Sequence, residues 1–380
     1  MKILQLVQTL DPGTGGVACA VVTLSEALVG LGHQVEIVTL DDRDAPWLQE
    51  IQIPVRSLGS GLTSYRYSKK LLPWLRRHGG DYDRVVAHGI WQYLSFATWR
   101  RYAGTDIPYY VFPHGMLDPW FKRTFPLKHL KKWLYWPWAD YRVLRDARAV
   151  IFTSEEERRE ARKSFWLYRA RETISPLGVE APAPRDTAAK NVFLAKFPEL
   201  QSTQFLLFLG RLHPKKGCDL LIDALSRSAN TNLALVLAGP DQIGWEKELR
   251  TRAVSLGRRI IFAGMLEGEM KRGAFVAADA FVLPSHQENF GMSVAESLSF
   301  GVPVLISNRV NIWREIDTDR AGYVENDDLQ GTTRLIERWL NTNEDERATM
   351  RENARRCFQT RFDISRAAAS FVRILQVPEA

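Results

Sequence analysis

Residues 280–296 read AFVLPSHQENFGMSVAE. The run opens as a short apolar strand, Ala280–Leu283, ended by Pro284. A polar loop follows, and a helix begins near Gly291–Ser293. A change of period from two to 3.6 across a loop marks a strand feeding a crossover helix. The same change recurs along the chain. In the first half the strand-like runs are Ile3–Val7, Val35–Thr39, Arg84–His88, Tyr109–Phe112 and Ala149–Thr153. In the second half they are Phe205–Leu209, Ala234–Ala238, Ile260–Ala263, Ala280–Leu283 and Val302–Ile306. Strands that alternate with longer helical stretches build parallel sheets with crossover helices. Two such sets predict an α/β chain of two doubly wound domains. Residues 175–184, SPLGVEAPAP, carry three prolines and a glycine and are too broken for an element, so the domain boundary is expected there. A last helix is predicted over Asp363–Leu375.

Composition agrees. The chain has 380 residues, and at roughly 150 residues per domain two domains are expected. It is 45% hydrophobic and 25% charged, ordinary for a folded chain, which excludes a largely disordered or collagen-like protein. Lys and Arg number 51 against 44 Asp and Glu, giving +7. Residues 1–178 hold 25 basic and 18 acidic side chains and so carry the whole excess, while residues 179–380 hold 26 of each. Nine of the twelve tryptophans also precede residue 170. A basic, aromatic first half suits contact with something anionic or amphipathic, or else a solvated basic face over a Trp-containing core.

Cys19, Cys218 and Cys357 are far apart and lack metal-ligand spacing. This argues for a reducing compartment and against a disulfide scaffold or a zinc site. No stretch reaches the roughly 18 apolar residues that a transmembrane helix needs. The N-terminal MKILQLVQTLDPG is too short in its apolar part for a signal peptide, and Asp11 and Pro12 end it where a strand would turn. It reads as the first strand of a cytoplasmic protein.

Three runs carry chemistry. The first strand leads into Asp11-Pro-Gly-Thr-Gly-Gly-Val17, and a helix then runs from Ala18 to about Gly30. A glycine-rich turn at a helix start lets backbone N–H groups approach an anion. The spacing misses G-x-G-x-x-G, and only Asp41 and Asp42 stand near the end of the second strand, which argues against nicotinamide binding. In the second half, Phe205–Leu209 runs into GRLHPKKG, residues 210–217. Arg211 offers a planar fork and Lys216 a mobile point charge, a combination that suits a diphosphate. A solvated basic turn is the plainer alternative. In the opening run, Glu288 falls in the loop and Glu296 in the early turns of the helix. The backbone N–H groups of Asn289, Phe290, Gly291 and Met292 lie at the same strand end. Two carboxylates beside a helix N-terminus make a polyol site with an anion neighbour, whereas either carboxylate alone could be merely solvated.

This last run resembles the E-x7-E signature of retaining glycosyltransferases of the GT-B architecture, in particular glycosyltransferase family 4. Other pieces stand in that family's order: Gly15-Gly16-Val17, Pro113-His114-Gly115, Pro176–Val179, GRLHPKKG, Ala238–Pro240 and Phe262–Leu266. The resemblance covers essentially the whole chain and is strongest over 205–305. It implies two Rossmann-like domains facing a central cleft. Residues 1–178 would bind the acceptor and 179–359 the nucleotide sugar, and a helix over about 360–380 would pack back on the first domain. Arg211 and Lys216 would hold the donor diphosphate, helped by the N–H groups of Gly15 and Gly16. Glu296 would bond the ribose hydroxyls. Glu288 would contact the transferred sugar beside the amides of Asn289–Met292, and His114 would line the sugar site. The backbone near Met265 and Leu266 would read the base. Retention of configuration is implied likewise. The reaction is expected to be hexosyl transfer from a nucleotide sugar, UDP favoured over GDP, to a saccharide or lipid-linked saccharide.

No cofactor or metal is expected. Asp81-Tyr-Asp83 and Asp317-Thr-Asp319 match D-x-D, but the first precedes a strand, the wrong end for a ligand in a parallel sheet, and the second lies in a polar turn. Residues 118–148 interleave Trp120, Phe121, Phe125, Trp133, Tyr135, Trp136 and Trp138 with Lys122, Arg123, Lys128, Lys131 and Lys132. Such a stretch could meet an anionic membrane peripherally, stack on a sugar, or be core with a solvated edge. Nucleic-acid binding lacks any module signature. The competing functions are a nucleotide-sugar epimerase of similar architecture and a non-catalytic nucleotide-sugar-binding relative.

Overall fold

The computed structural model describes residues 1–124, 126–182, 187–228, 232–254, 256 and 260–377. The chain divides into two compact units, Met1–Gly178 with Ile364–Ala380, and Val179–Asp363.

The first unit is built on seven strands: β1 (Lys2–Val7), β2 (Gln34–Thr39), β3 (Val55–Ser57), β4 (Arg84–His88), β5 (Tyr109–Phe112), β6 (Ala149–Phe152) and β7 (Glu172–Ile174). They pair in the order β3-β2-β1-β4-β5-β6-β7, and every pair is parallel. Helices cover both faces, so the central strands are buried on both sides and read as nearly continuous apolar runs. One face packs Val21, Leu24 and Leu28 of the helix Gly16–Gly30 together with Ala368, Phe371 and Leu375 of the helix Ile364–Gln376. That C-terminal helix is held at its end as well, where Arg84 Nε donates to the Leu375 carbonyl at 2.7 Å. Phe371 and Leu375 are fully buried, and each contributes roughly 1.5–3 kcal/mol by leaving water.

The second unit carries β8 (Gln204–Leu209), β9 (Leu233–Ala238), β10 (Ile260–Gly264), β11 (Ala280–Leu283), β12 (Val304–Ser307) and β13 (Gly322–Glu325). Their order is β10-β9-β8-β11-β12-β13, again parallel throughout. All six residues of β9, LALVLA, are buried. This unit runs to Asp363, past the expected 359. The reason is local: Phe358 and Phe362 are buried, Phe362 meets Phe290 edge-on, and the Val179 N–H donates to the Phe362 carbonyl at 2.9 Å.

Three strands were not expected from the sequence: β3, β7 and β13. All three are sheet edges, short and only partly buried, so hydrophobic alternation barely marks them. The strand expected at Val302–Ile306 is displaced to Val304–Ser307, because Val302 closes the preceding turn by donating to the Ser297 carbonyl.

Candidate active site

In an open parallel sheet, ligands bind beyond the carboxyl ends of the strands, where the strand order reverses. In the second unit this point lies between β8 and β11. GRLHPKKG follows β8, and the PSHQENFG loop follows β11. The two loops are joined by backbone, since the His286 N–H donates to the Lys215 carbonyl at 2.8 Å. Gly217 permits the join. Its φ is +71°, and a Cβ there would sit 2.6 Å from the Pro284 carbonyl oxygen. On the other side, the Glu288 N–H donates to Arg309 O at 2.9 Å, and Asn311 N–H donates to Glu288 O at 3.0 Å.

This framework brings Lys216 and Glu288 into an ion pair, with side chains 15% and 18% exposed. Burial, then the positive charges of Lys215 and Arg211, push the Lys216 ammonium down to about 7. Arg211 is exposed, and its guanidinium reaches Gln242 Oε1 at 3.5 Å. The helix Met292–Ser299 starts after Gly291, whose φ is +76°. The N–H groups of Phe290, Gly291 and Met292 lie at its start, and among the described residues no backbone carbonyl takes them up. The Phe290 ring is buried. Glu296 stands in the second turn and pairs with Lys271 Nζ at 2.7 Å. Met265 and Leu266 follow β10 at the same sheet edge, Met265 exposed and Leu266 buried. His286 pairs with Asp327 at 3.0 Å, and that carboxylate raises the imidazole above its usual range.

In the first unit the corresponding point lies between β1 and β4. The glycine-rich turn after β1 is held by Asp11, whose side chain accepts the Gly13 N–H at 2.8 Å. Gly15 donates to the Pro12 carbonyl at 3.3 Å, and Gly16 opens the helix two residues before the expected Ala18. Asp41 is a buried brace: it accepts from Leu10 N–H at 2.7 Å and Thr39 Oγ1 at 2.7 Å. His114 follows β5. It is 9% exposed, with a left-handed φ of +50°. Its loop is held by Glu157, whose carboxylate accepts the Gly115 and Thr153 N–H groups, both at 2.6 Å. Burial pushes His114 down to about 4, and His88, buried beside it, well below its usual range, so both rings are neutral near pH 7.

Arg211, Lys216, Glu288 and Glu296 are thus gathered at one edge of the second sheet, and Gly15, Gly16 and His114 belong to the first unit. Sequence reasoning missed Lys271, Glu157 and His88. Lys271 and Glu157 sit in ordinary helical contexts with no local signal; His88 ends a strand beside the order reversal, which topology alone would have flagged.

Asp317 and Asp319 end the helix Trp313–Asp319 and do not lie in a turn, and one carboxylate of each D-x-D pair is engaged elsewhere. Asp83 accepts the Lys2 N–H at 2.6 Å at the amino edge of the sheet, and Asp319 binds Arg361 through both oxygens, at 2.7 and 2.8 Å. Among the described residues no group of three His, Cys, Asp or Glu side chains could hold a metal ion. In the 118–148 stretch, Trp136 is core, stacked on Phe165 with centroids 4.2 Å apart. Leu127, Leu130, Trp133, Leu134 and Trp138 are exposed. Phe125 and the side chains of Phe121, Arg123 and Lys128 lie outside the described residues, as do Pro184 of the boundary run and residues 378–380. No helix among the described residues is long and apolar enough to cross a membrane.

Residues 15–178 match the glycosyl transferase 4-like domain, and residues 191–357 match glycosyl transferases group 1. The chain belongs to glycosyltransferase family 4, with the GT-B fold. Among relatives of this glycosyltransferase, the O-antigen chain mannosyltransferase C of Escherichia coli is 25% identical, covering 98% of each chain. The GDP-mannose-dependent alpha-(1-6)-phosphatidylinositol dimannoside mannosyltransferase of Mycobacterium tuberculosis is also 25% identical, over 99% of this chain and 96% of its own. Among solved structures, an Anabaena protein in complex with UDP superposes with a TM-score of 0.80 at 19% identity, covering 99% of each chain. It shares the fold.

Proposed function

We propose that this glycosyltransferase is a retaining hexosyltransferase that uses a nucleoside diphosphate sugar and needs no metal ion. The observation that carries the reading is the grouping of Arg211, Lys216, Glu288, Glu296 and the helix-start amides at the order reversal of the second sheet. As the glycosidic bond breaks, the departing diphosphate gains negative charge. Fixed cations and N–H groups aimed at that charge lower the barrier, and loss of one such donor costs on the order of 10²–10³ in rate. In the free protein Lys216 is held by Glu288. Donor binding would turn the ammonium to the diphosphate and free Glu288 for sugar hydroxyls. Glu296 would take the ribose hydroxyls, with Lys271 released toward the nucleotide. No carboxylate is assigned as a covalent nucleophile. The acceptor hydroxyl attacks the anomeric carbon on the face the diphosphate leaves, the C–O bond to phosphate breaks, and the leaving phosphate oxygen takes the acceptor's proton.

The donor is a guanosine or uridine diphosphate hexose. The GDP-mannose dependence of the mycobacterial relative makes GDP-mannose the first donor to test, and UDP-glucose the second. A thermal-shift panel of nucleotide sugars tests the reading, because a bound donor stabilises by mass action. A rise for a nucleotide sugar is expected; no rise with any of them would remove the proposal.

The acceptor is a saccharide or lipid-linked saccharide reached from the cytoplasmic face of a membrane. Supporting this, Leu127, Leu130 and Leu134 fall at i, i+3 and i+7 of one helix and are 79%, 56% and 62% exposed. Trp138 follows them, 70% exposed, and the exposed Lys131 is on the same helix. A basic helix with an uncovered apolar stripe suits an anionic bilayer surface. Sedimentation with anionic vesicles at low salt should retain the enzyme, and the Leu130→Ser/Leu134→Ser variant should release it.

A further inference from the structure

His88, at the end of β4, joins two buried groups. Its Nε2 lies 2.7 Å from Gln5 Oε1 on β1, and its Nδ1 lies 2.9 Å from His114 Nε2. Gln5 and His88 are essentially inaccessible. The two imidazoles and Phe112 stack, with ring planes within 19° of one another. Gln5 presents Oε1 to that ring and leaves its own Nε2 buried without a partner; an amide oxygen only accepts, so in this amide orientation Nε2 of His88 carries its proton. His88 is neutral, so its Nδ1 is a bare lone pair and accepts the Nε2–H of His114. The second nitrogen of His114, Nδ1, is then also a lone pair. It is buried and has no hydrogen-bond partner.

We propose that Gln5 and His88 are positioning residues that fix His114 as its Nε2–H tautomer, so that Nδ1 stands ready to accept a hydrogen bond from a hydroxyl of the sugar on the nucleotide-sugar donor. The inference rests on the glycosyltransferase reading for the identity of the ligand, but not for the tautomer. A bare ring nitrogen excludes carbonyl and phosphate oxygens, which cannot donate, and selects hydroxyls. The left-handed backbone at His114 and the Glu157 clamp on Gly115 hold the ring where His88 can reach it. A buried polar atom without a partner points to a missing one.

The test begins with the free protein. Nitrogen NMR of histidine-labelled enzyme at pH 7 should show pyrrole-type Nε2 and pyridine-type Nδ1 for both His88 and His114. In His88→Leu the fixed tautomer of His114 should be lost, and in His88→Asn, whose amide oxygen can replace Nδ1 as acceptor, it should return. Calorimetry with GDP-mannose and UDP-glucose, against GDP and UDP, reads the consequence. His88→Leu should weaken binding of whichever sugar nucleotide the wild type binds by about tenfold, the loss of one buried hydrogen bond. It should leave the affinity for the bare nucleotide unchanged, and His88→Asn should recover most of the difference. Nδ1–H on His114 in the wild type overturns the proposal. So does an unchanged sugar-nucleotide affinity in a His88→Leu protein whose tautomer has changed. If the wild type binds no sugar nucleotide, the donor reading fails, while the NMR result still decides the tautomer.

Discussion

Replacing Lys216 separates its charge from its packing. In the proposed reaction the ammonium contacts the diphosphate, and a hydrogen bond to a charged group is worth about 1.5–3 kcal/mol. Lys216→Ala should therefore weaken donor binding by about 10–150-fold, and kcat should fall on the order of 10²–10³ where the contact tightens in the transition state. The fold should survive. Glu288 would lose its counter-charge, but at 18% exposure water still reaches it. The cost should then fall between the roughly 1 kcal/mol of an exposed pair and the roughly 3–5 kcal/mol of a fully buried broken one. The pH profile is more discriminating. With Lys216 pushed down to about 7, the free enzyme loses its ammonium as the pH rises through neutrality. The value of kcat/KM reports groups of the free enzyme, so it should fall above pH 7 by up to about tenfold per pH unit. Lys216→Arg keeps a permanent charge and should flatten that alkaline limb while retaining more activity than Lys216→Ala. The assay is donor-dependent transfer between pH 6 and 9 with urea melts alongside. Lys216→Ala within threefold of wild type, or an unmoved alkaline limb in Lys216→Arg, would refute the reasoning.

Four further outcomes follow from the same geometry. Gly217→Ala should lower stability by more than the roughly 1–2 kcal/mol of a left-handed side chain, because its Cβ would meet Pro284 O at 2.6 Å; a urea midpoint equal to wild type contradicts the packing described. The unfolded chain binds a proton at His114 near pH 6.5 and the folded chain only near 4, so stability from this group is full above 6.5 and lost as the pH falls toward 4. Up to about 3 kcal/mol is involved, and urea melts at pH 7 and 4.5 would show it or a flat profile. Phe371→Ala should cost about 3–5 kcal/mol, read by thermal melting, since the ring is fully buried in the C-terminal helix against the first sheet. A chelator should leave transfer unchanged; a strict divalent-ion requirement would return attention to the carboxylates.

Much of this was visible in the chain itself. The central strands β8, β9 and β11 are buried on both faces, and their unbroken apolar runs mark them. The edges β3, β7 and β13 are short, half-exposed pieces such as VRS and ETI, where local composition says little. Arg211, Lys216 and Glu288 were legible because each lies in the loop that leaves a strand end, and Glu296 because it stands in the helix that one of those loops opens. Their partners were not. Lys216 meets Glu288 across 72 residues of sequence, Lys271 meets Glu296 across 25, and His88 meets Gln5 across 83. Those meetings are set by strand order, which no local pattern encodes. The same holds for the 118–148 stretch, where equal-looking tryptophans divide into the buried Trp136 and the exposed Trp138.

The central claim is that protein cations and amide N–H groups of the second unit hold a nucleoside diphosphate. A crystal structure determined with GDP and with UDP tests it most directly. The diphosphate should lie within hydrogen-bond distance of Arg211, Lys216 and the N–H groups of Phe290–Met292, with the ribose on Glu296. A nucleotide seated elsewhere on the chain, or none bound at all, would contradict it.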